Sequence, residues 1–530
     1  MAAQEFDDQN VNEDELLEEG AAEEQKEPSG APGWFISVAV HSLFALIFYY
    51  AVWGSKEEVV ELPPMKVTQM EAPPKKEEKK EDRALDAKFE ISVATTDEVA
   101  APLNPLEVPL EEKTTTEENT EADTAKGREE AVSNVETGQT GAFMAIGPGG
   151  GSAGMFGNRN GGGKRRALAK GGGTRASESA VDAALRWFKR HQSPNGMWDV
   201  EKYPTNCTEN PKCEPGVVNH GTPQGASVAA TGYAVLCYLG AGYDHKTPNK
   251  FKATVEKGLE YLRSVQSADG VLGERNYEHP IATMCLAEAY AMTNDPDLKG
   301  PAQKGLQIIL ARQNKDAKAA DPAYSGLGWD YMTVSDRNDS SVTGWNIMAL
   351  KSGLAGGLAV GNGMEGAKKW LKGAWEAANP DFKKLSDPYK DMSVFPYTWN
   401  ASNNSIDKDH LAPVGALCAV FLGHHAGDIM LETLCNSIMK NNFVTTYPTN
   451  TYFMYYNTLA IFQAGGDRWT KWNGTVRDVL VNGQRKGDGC FDGSWDIGQF
   501  PGCEVGRTIS TAYCCLSLEV YYRYKQVGGK

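Results

Sequence analysis

One helix-and-turn unit, residues 186–198 with the sequence RWFKRHQSPNGMW, constrains the fold of this chain more than any other segment. A helix ends there in a polar turn that contains Pro194, Asn195 and Gly196, residues that stop helices. The apolar residues before the turn recur at i, i+3, i+4, i+7 and i+8, which forms one stripe on a helix: Ala180, Ala183, Ala184, Trp187 and Phe188. A single unit of this kind cannot bury its own apolar face, so the pattern predicts stacking of several such units.

The unit recurs along the chain. Residues 257–272 keep the glutamine and the glycine of the turn, residues 304–313 form a third copy that reaches Gly328 and Trp329 after an insertion, and residues 484–495 form the last copy. Apolar helices rich in small residues lie between these turns: residues 229–239, 281–292, 342–354, 413–422, 452–464 and 509–521. About six helical hairpins follow, and hairpins of this repeat length stack or close into a ring.

The turn pattern, aromatic-Leu-x3-Gln-x3-Gly-x-Trp, resembles the QW motif of squalene and oxidosqualene cyclases and of protein prenyltransferase β subunits. Residues 277–295, 340–353 and 521–524 are similar to segments of bacterial prenyltransferase and squalene-oxidase repeat proteins. The resemblance covers about residues 176–527 and implies an all-α fold, an α6/α6 toroid of about six helical hairpins. One fold hosts many functions, so the activity has to be argued from particular residues.

The region before the repeats predicts a single membrane anchor. Residues 1–33 form an acidic tail without a core, and residues 34–53 are apolar, uncharged and long enough to cross a bilayer as a transmembrane helix. Residues 54–175 are rich in Pro, Glu and Lys and then in Gly, a composition typical of a disordered linker. We expect residues 176–527 to form the folded domain.

Ser37 and His41 lie four residues apart in the predicted transmembrane helix, on one helical face. This spacing, followed by a Pro/Lys/Glu-rich segment, resembles TonB-type energy transducers and implies contact with an ExbB/ExbD-like motor. By that resemblance the protein is a single-pass protein of the inner (cytoplasmic) membrane with an extracytoplasmic toroid. The alternative is a helix that tolerates one neutral histidine. The net charge of -16 and the absence of a nucleic-acid motif disfavour RNA or DNA as a partner.

Cysteine spacing allows several interpretations. Cys207 and Cys213 lie in a Pro-containing loop where an oxidising compartment would permit a disulfide, and Cys490 with Cys503 is a second possible pair. A zinc site from Cys207, Cys213 and His220 matches no strong ligand pattern. We therefore predict no metal and no cofactor.

Catalysis would need one of the acid motifs of the cyclases, which protonate a double bond with the middle Asp of Asp-x-Asp-Asp. In residues 336–339 the middle position is Asn338, an amide that cannot donate that proton. In residues 407–410 the acid is kept, which makes Asp407, Asp409 and His410 the candidate catalytic residues, with His410 orienting Asp409. The alternative is a polar loop before the helix that starts near Pro413.

Prenyltransferase chemistry fits less well. Asp488 and Cys490 resemble the Asp-x-Cys zinc ligands of protein prenyltransferases, but that family needs a later histidine and the last histidine here is His425. Two function classes stay open. The first is a membrane-anchored toroid that binds a ligand or partner without turnover. The second is a terpene-cyclase-like enzyme acting on an isoprenoid or other apolar substrate in the ring, and its cation-binding aromatic residues would come from Trp329, Trp345, Trp399, Tyr452, Tyr455 and Tyr456.

Overall fold

The computed structural model describes residues 41–42, 157–159, 161–407, 409–498 and 506–524. The chain divides into two units, residues 1–100 and residues 101–530. Of the first unit only His41 and Ser42 are described, and both are helical and exposed. The second unit contains the repeats.

The described part of the second unit is built mainly from helices, which in chain order are α1 (Gly161–Gly171), α2 (Arg175–His191), α3 (Tyr203–Asn206), α4 (Pro223–Gly240), α5 (Lys252–Val265), α6 (Glu278–Thr293), α7 (Pro296–Ala311), α8 (Ser340–Ala355), α9 (Gly363–Ala378), α10 (Ala412–Phe421), α11 (Ile429–Asn441), α12 (Thr451–Ala464), α13 (Gly466–Gly483), α14 (Arg507–Leu518) and α15 (Val520–Arg523). Short 3-10 turns lie at Gly157–Arg159, Pro322–Tyr324, Phe382–Lys384 and Gly489–Phe491.

Six of these helices, α4, α6, α8, α10, α12 and α14, form an inner ring. Each packs against the next, and α14 packs back against α4, so the circuit is closed. Nearly every side chain of α6, from Glu278 to Thr293, is buried, which is why these segments are apolar all round rather than striped. The outer helices α2, α5, α7, α9, α11 and α13 alternate with them along the chain. The predicted all-α toroid is confirmed at this level.

The glutamine of the repeated turn joins neighbouring hairpins. Gln192 Nε2 donates to the carbonyl oxygen of Gly196 in its own turn at 2.9 Å and to that of Thr254 in the next outer helix at 3.0 Å. The same two kinds of bond are made by Gln266 to Gly270 and Pro301, and by Gln313 to Leu327 and Gly363. One glutamine amide therefore bonds two backbone carbonyls and fixes the spacing of two hairpins.

The glutamine of the last turn closes the ring with the same two kinds of hydrogen bond. Gln484 Nε2 donates to Gly493 at 2.9 Å and to Ala180 of α2, the first outer helix, at 2.8 Å. Gly493 has a φ of +90°, and a Cβ there would lie 2.3 Å from the carbonyl oxygen of Ala183. Only glycine allows this close approach of the last turn to the first helix.

A small sheet interrupts the helical pattern. Strand β1 (Arg337–Asp339) pairs antiparallel with β2 (Thr398–Asn400), and β2 pairs antiparallel with β3 (Ser405–Ile406). None of these three strands was predicted from the sequence. The strands are two or three residues long, so no alternation of side chains marks them in the sequence.

The folded domain begins earlier than the predicted boundary at residue 176. The predicted linker, residues 54–175, contains α1 and the buried residue Arg159. Arg159 Nη1 lies 3.0 Å from Glu288 Oε2 on α6, and Lys164 Nζ lies 2.9 Å from Glu178 Oε2 on α2. These ion pairs attach the glycine-rich segment to the ring. Composition alone does not reveal them, because each requires a partner distant in sequence.

No helix in the described part of the chain is long and apolar enough to cross a membrane. The predicted transmembrane helix, residues 34–53, lies outside the described residues except for His41 and Ser42, and so do Ser37 and the acidic tail. The structure therefore gives no support to a single-pass location in the inner membrane or to the resemblance to TonB-type proteins. Neither prediction is retained.

Candidate functional site

A cavity of about 620 Å³ opens where the inner helices begin. Its lining includes residues at or just before the N-terminal ends of all six inner helices: Ala226, Glu278, Ser341, Leu411, Tyr452 and Ile509. The inner helices run in one direction, so six partly positive helix ends converge on this cavity. Its volume lies in the range typical of ligand sites.

Tyrosines form much of the cavity wall. The rings of Tyr277 and Tyr331 are parallel within 11°, with centroids 6.3 Å apart. The hydroxyl oxygens of Tyr331 and Tyr397 lie 3.1 Å apart. Tyr233, Tyr452 and Tyr513 also line the cavity. The wall therefore offers flat apolar faces whose edges carry hydroxyl groups.

Arg275 and Glu278 form the charged side of the cavity. Glu278 Oε2 accepts a hydrogen bond of 2.9 Å from the backbone N–H of Arg275, and the Arg275 guanidinium lies 4.9 Å from the centre of the Tyr331 ring. Burial raises the pKa of Glu278 above its ordinary value, against the opposing charge of Arg275. Glu278 is thus a carboxyl that holds its proton more firmly than an exposed one.

A second carboxyl, Asp339, lies behind the tyrosine wall. It caps α8 by accepting hydrogen bonds from the backbone N–H groups of Ser341 and Val342, and it pairs with Arg337 at 2.9 Å. Burial raises the pKa of Asp339, while the Tyr397 hydroxyl also hydrogen-bonds it. Asp339 therefore both caps α8 and holds the Tyr397 hydroxyl by a hydrogen bond.

Two of the three predicted catalytic residues reach the cavity, but their side chains do not contact each other as predicted. Asp409 and His410 line it, whereas Asp407 is not among the lining residues. All three side chains are exposed, and Asp407 Oδ1 accepts a hydrogen bond from the backbone N–H of Asp409. Within the described residues no hydrogen bond joins His410 to Asp409, so the proposed orienting contact is not formed. The catalytic roles assigned to these residues stay predictions.

The other acid-like segment is structural. Asn338 is buried in β1, where its amide oxygen accepts from the backbone N–H of Gly328 at 2.9 Å and its amide nitrogen donates to the carbonyl of Trp399 at 3.1 Å. Asp336 Oδ1 accepts from the backbone N–H of Ser402. These contacts give Asn338 and Asp336 a structural role, so no catalytic role is needed to explain why polar residues occur here.

The aromatic candidates separate into two groups. Tyr452 lines the cavity, and Trp345, Tyr455 and Tyr456 pack against one another among the inner helices without lining it. The indole N–H of Trp329 donates to the carbonyl of Ile309, and Trp399 packs against Gly373, and neither belongs to the cavity lining. Arg275, Glu278, Tyr331 and Tyr397, which do line it, were not selected from the sequence.

A sulfur and imidazole cluster lies apart from the cavity. His191 at the end of α2, Cys213 in the following loop and Cys490 in the last turn bring their donor atoms within 4.8 Å of one another. His220 belongs to the cavity lining instead, so the zinc site considered from Cys207, Cys213 and His220 is not formed. Asp488 pairs with Arg485 through its carboxylate. Cys503 lies outside the described residues.

Comparison with known proteins gives distant matches only. No protein-family model and no curated protein matches the chain. Solved structures match in general helical architecture. An inactive variant of the α-1,6-mannanase GH76A of Salegentibacter sp. HEL1_6, in complex with α-1,6-mannotetrose, is 12% identical, with 66% of this chain and 98% of that chain covered and a TM-score of 0.43.

Two further solved structures are similar at the same level. A novel α-amylase from Clostridium perfringens is 11% identical over 65% of this chain and 97% of its own, with a TM-score of 0.41. A D-mannose isomerase is 12% identical over 65% and 96%, with a TM-score of 0.44. Similarities this distant do not transfer an activity to this chain.

The function predicted from the sequence is corrected by these findings. The three solved structures named above are a mannanase, an amylase and a mannose isomerase, and they are similar to this chain in general helical architecture alone. Neither the anchored partner-binding toroid nor its terpene-cyclase alternative is retained.

Proposed function

We propose that this protein is a carbohydrate-processing enzyme whose substrate lies in the tyrosine-walled cavity and whose general acid is Glu278. The observation that carries the proposal is a buried carboxyl with a raised pKa at a cavity that also contains the exposed carboxyl of Asp409. Glycoside hydrolysis uses such a pair, one protonated acid and one second carboxylate. Burial of one carboxyl and exposure of the other is a way to separate their roles.

The wall supports binding of a sugar in particular. Sugar rings have apolar faces and hydroxyl edges, and the cavity presents the faces of Tyr277 and Tyr331 together with hydroxyl groups of Tyr331 and Tyr397. Arg275 adds N–H donors that suit hydroxyl or carboxylate oxygens. Apolar walls with a few convergent polar groups are typical of ligand sites.

The first experiment measures reducing ends released from a panel of mannan, glucan and uronic-acid oligosaccharides by the full-length protein. We expect turnover of at least one class, and a loss of about 10²–10⁴-fold in Glu278→Gln, the usual effect of removing a general acid. The rate of the unchanged protein should fall as the pH rises through the pKa of Glu278, because the ionised carboxyl has no proton to give. Glu256→Gln, an exposed residue of α5, is the matched control.

Binding is measured separately by calorimetry with the same panel and with Tyr331→Ala. Affinity should fall in Tyr331→Ala and persist in Glu278→Gln. Binding without any turnover would reject the enzyme, and failure of the whole panel to bind would reject the carbohydrate site altogether.

A further inference from the structure

We propose that His191, Cys213, Cys490 and Cys207 bind one structural zinc ion that joins the first hairpin of the ring to the last. Within the described residues the donor atoms converge: Cys490 Sγ lies 3.1 Å from His191 Nε2 and 2.9 Å from Cys213 Sγ, and Cys213 Sγ lies 3.5 Å from His191 Nε2. Three cysteines and one histidine form a common structural zinc set.

The two sulfur atoms are not bonded to each other, and their separation lies between that of a disulfide and that of two sulfurs on one zinc ion. A disulfide needs about 2.05 Å, which is well below the 2.9 Å between Cys213 Sγ and Cys490 Sγ. A tetrahedral zinc ion with Zn–S distances of about 2.3 Å places two sulfurs about 3.8 Å apart. The sulfurs reach that geometry by separating less than 1 Å.

His191 is oriented as a ligand. Its Nδ1 lies 2.7 Å from the carbonyl oxygen of Trp187, and since a carbonyl only accepts, Nδ1 carries the proton. The lone pair of Nε2 therefore points towards the two sulfurs. The Trp187 ring stacks on the imidazole at 4.1 Å and restricts its rotation. Most metal-bound histidines likewise donate the N–H of the other ring nitrogen to a carbonyl, a carboxylate or water.

The cysteines are held by backbone contacts from both hairpins. The N–H of Cys490 donates to the carbonyl of Pro211 at 3.1 Å, and its carbonyl accepts from the Trp187 indole at 2.8 Å. A Cβ at Gly489 would lie 2.0 Å from the carbonyl oxygen of Asn210. The last turn is therefore packed closely against the loop that carries Cys213, which keeps the two cysteines near each other.

The proposal assigns the fourth position to Cys207, which lies outside the group of three donor atoms that are all within 4.8 Å of one another. Its side chain is buried and hydrogen-bonds Cys490. Three thiolates, one neutral imidazole and Zn²⁺ carry a net charge of -1. The cation of Arg190 lies close enough to act on Cys207, that of Arg507 on Cys213 and that of Lys212 on His191. The site is therefore closed, without a position for substrate.

The site has a consequence for the cavity. The loop from Cys213 into α4 includes Val217, Val218, Asn219 and His220, which line the cavity. A metal at Cys213 would fix the start of this segment. None of the four proposed ligands is itself a lining residue, so the metal has no direct part in the proposed carbohydrate chemistry.

The test uses full-length protein produced in zinc-supplemented medium and measures metal content by plasma mass spectrometry. We expect close to one zinc per chain, and near-complete loss of the metal in Cys213→Ser and in Cys490→Ser. Cys435→Ser, a buried cysteine of α11 outside this cluster, is the matched control and should keep the metal. Chelation of the unchanged protein should lower its melting temperature, and added zinc should restore it.

A second measurement does not depend on the folding of variants. Reduced, metal-free protein is titrated with Co²⁺, which gives sulfur-to-cobalt charge-transfer absorption and tetrahedral d–d bands when thiolates bind it. We expect saturation at one Co²⁺ per chain, with displacement by Zn²⁺. Absence of metal and of these bands would overturn the proposal, as would a Cys213–Cys490 disulfide found by peptide mass spectrometry in protein that has never been reduced.

Discussion

At the scale of single residues, Glu519 is the carboxyl on which the stability of the ring core should depend most visibly. It follows α14 and is fully buried, and its Oε1 accepts a hydrogen bond of 3.2 Å from the Cys515 thiol. Burial raises its pKa to about 8, although the positive charge of Arg523 opposes the shift. At neutral pH the folded protein therefore holds a proton that the unfolded chain has released.

This difference predicts a specific pH dependence. The folded pKa of Glu519 is raised, so its contribution to stability is complete below about pH 4.5 and is lost as the pH rises to about 8. Glu519→Gln should remove that loss, which has a limiting slope of about 1.4 kcal/mol per pH unit. Urea unfolding between pH 5 and 8 measures it. A slope equal to that of the unchanged protein would show that Glu519 titrates normally.

The individual residues of the site were harder to predict from the sequence than the helices that carry them. Asp409 and His410 were selected from a motif-like run and do reach the cavity, but Glu278 and Arg275 were passed over. Glu278 is the first residue of a buried inner helix, and a charge at that position is the signal that could have revealed it. Cys213 and Cys490 are 277 positions apart, so no local spacing relates them.

At the scale of elements, the turn glutamine connects hairpins through two carbonyls, and Gln313 shows this most clearly. Its amide is buried and donates to Leu327 at 2.7 Å and to Gly363 at 2.9 Å. Replacement by leucine removes both of these hydrogen bonds. Gln313→Leu should therefore cost about 1–3 kcal/mol in the free energy of unfolding.

The control variant is Gln307→Leu, because the side chain of Gln307 on α7 is exposed. That change should alter stability by no more than about 0.5 kcal/mol. Equal effects of the two substitutions in chemical denaturation would mean that the bridging bonds do not support the ring.

Elements were largely predictable because the repeated turn leaves a periodic signature. The inner helix expected at residues 452–464 is observed at Thr451–Ala464, and the one expected at 413–422 is observed at Ala412–Phe421. The strand β1 was missed, since three residues cannot show a period. The helix α1 was missed because glycine-rich composition hides the tertiary contacts that hold it.

At the scale of the whole molecule, the two ends of the domain are neighbours. Arg159 Nη2 lies 3.3 Å from the carbonyl oxygen of Arg523, and the indole of Trp469 on α13 donates to the carbonyl of Gly171 at 2.9 Å. A linker of about eight residues spans more than 25 Å and would join these ends easily.

A circular permutant follows from this arrangement. Joining residue 524 to residue 157 and opening the chain between Gly427 and Asp428 keeps Asp428 as the cap of α11. We expect one cooperative melting transition, because exposed turns tolerate new ends. Opening the chain within α8, between Trp345 and Asn346, should instead prevent folding. If both permutants fail alike in circular dichroism, the closed ring does not fold independently of chain order.

The bond from Gln484 to Ala180 also limits how such a protein can change over evolution. An open array of repeats can lengthen or shorten by a unit, since its end caps simply move. Here the last unit must meet the first, so a duplicated or deleted hairpin would leave a gap or an overlap at the seam. Variation among relatives with this architecture should therefore accumulate in loop length and in the residues that face the cavity, while the number of hairpins stays fixed.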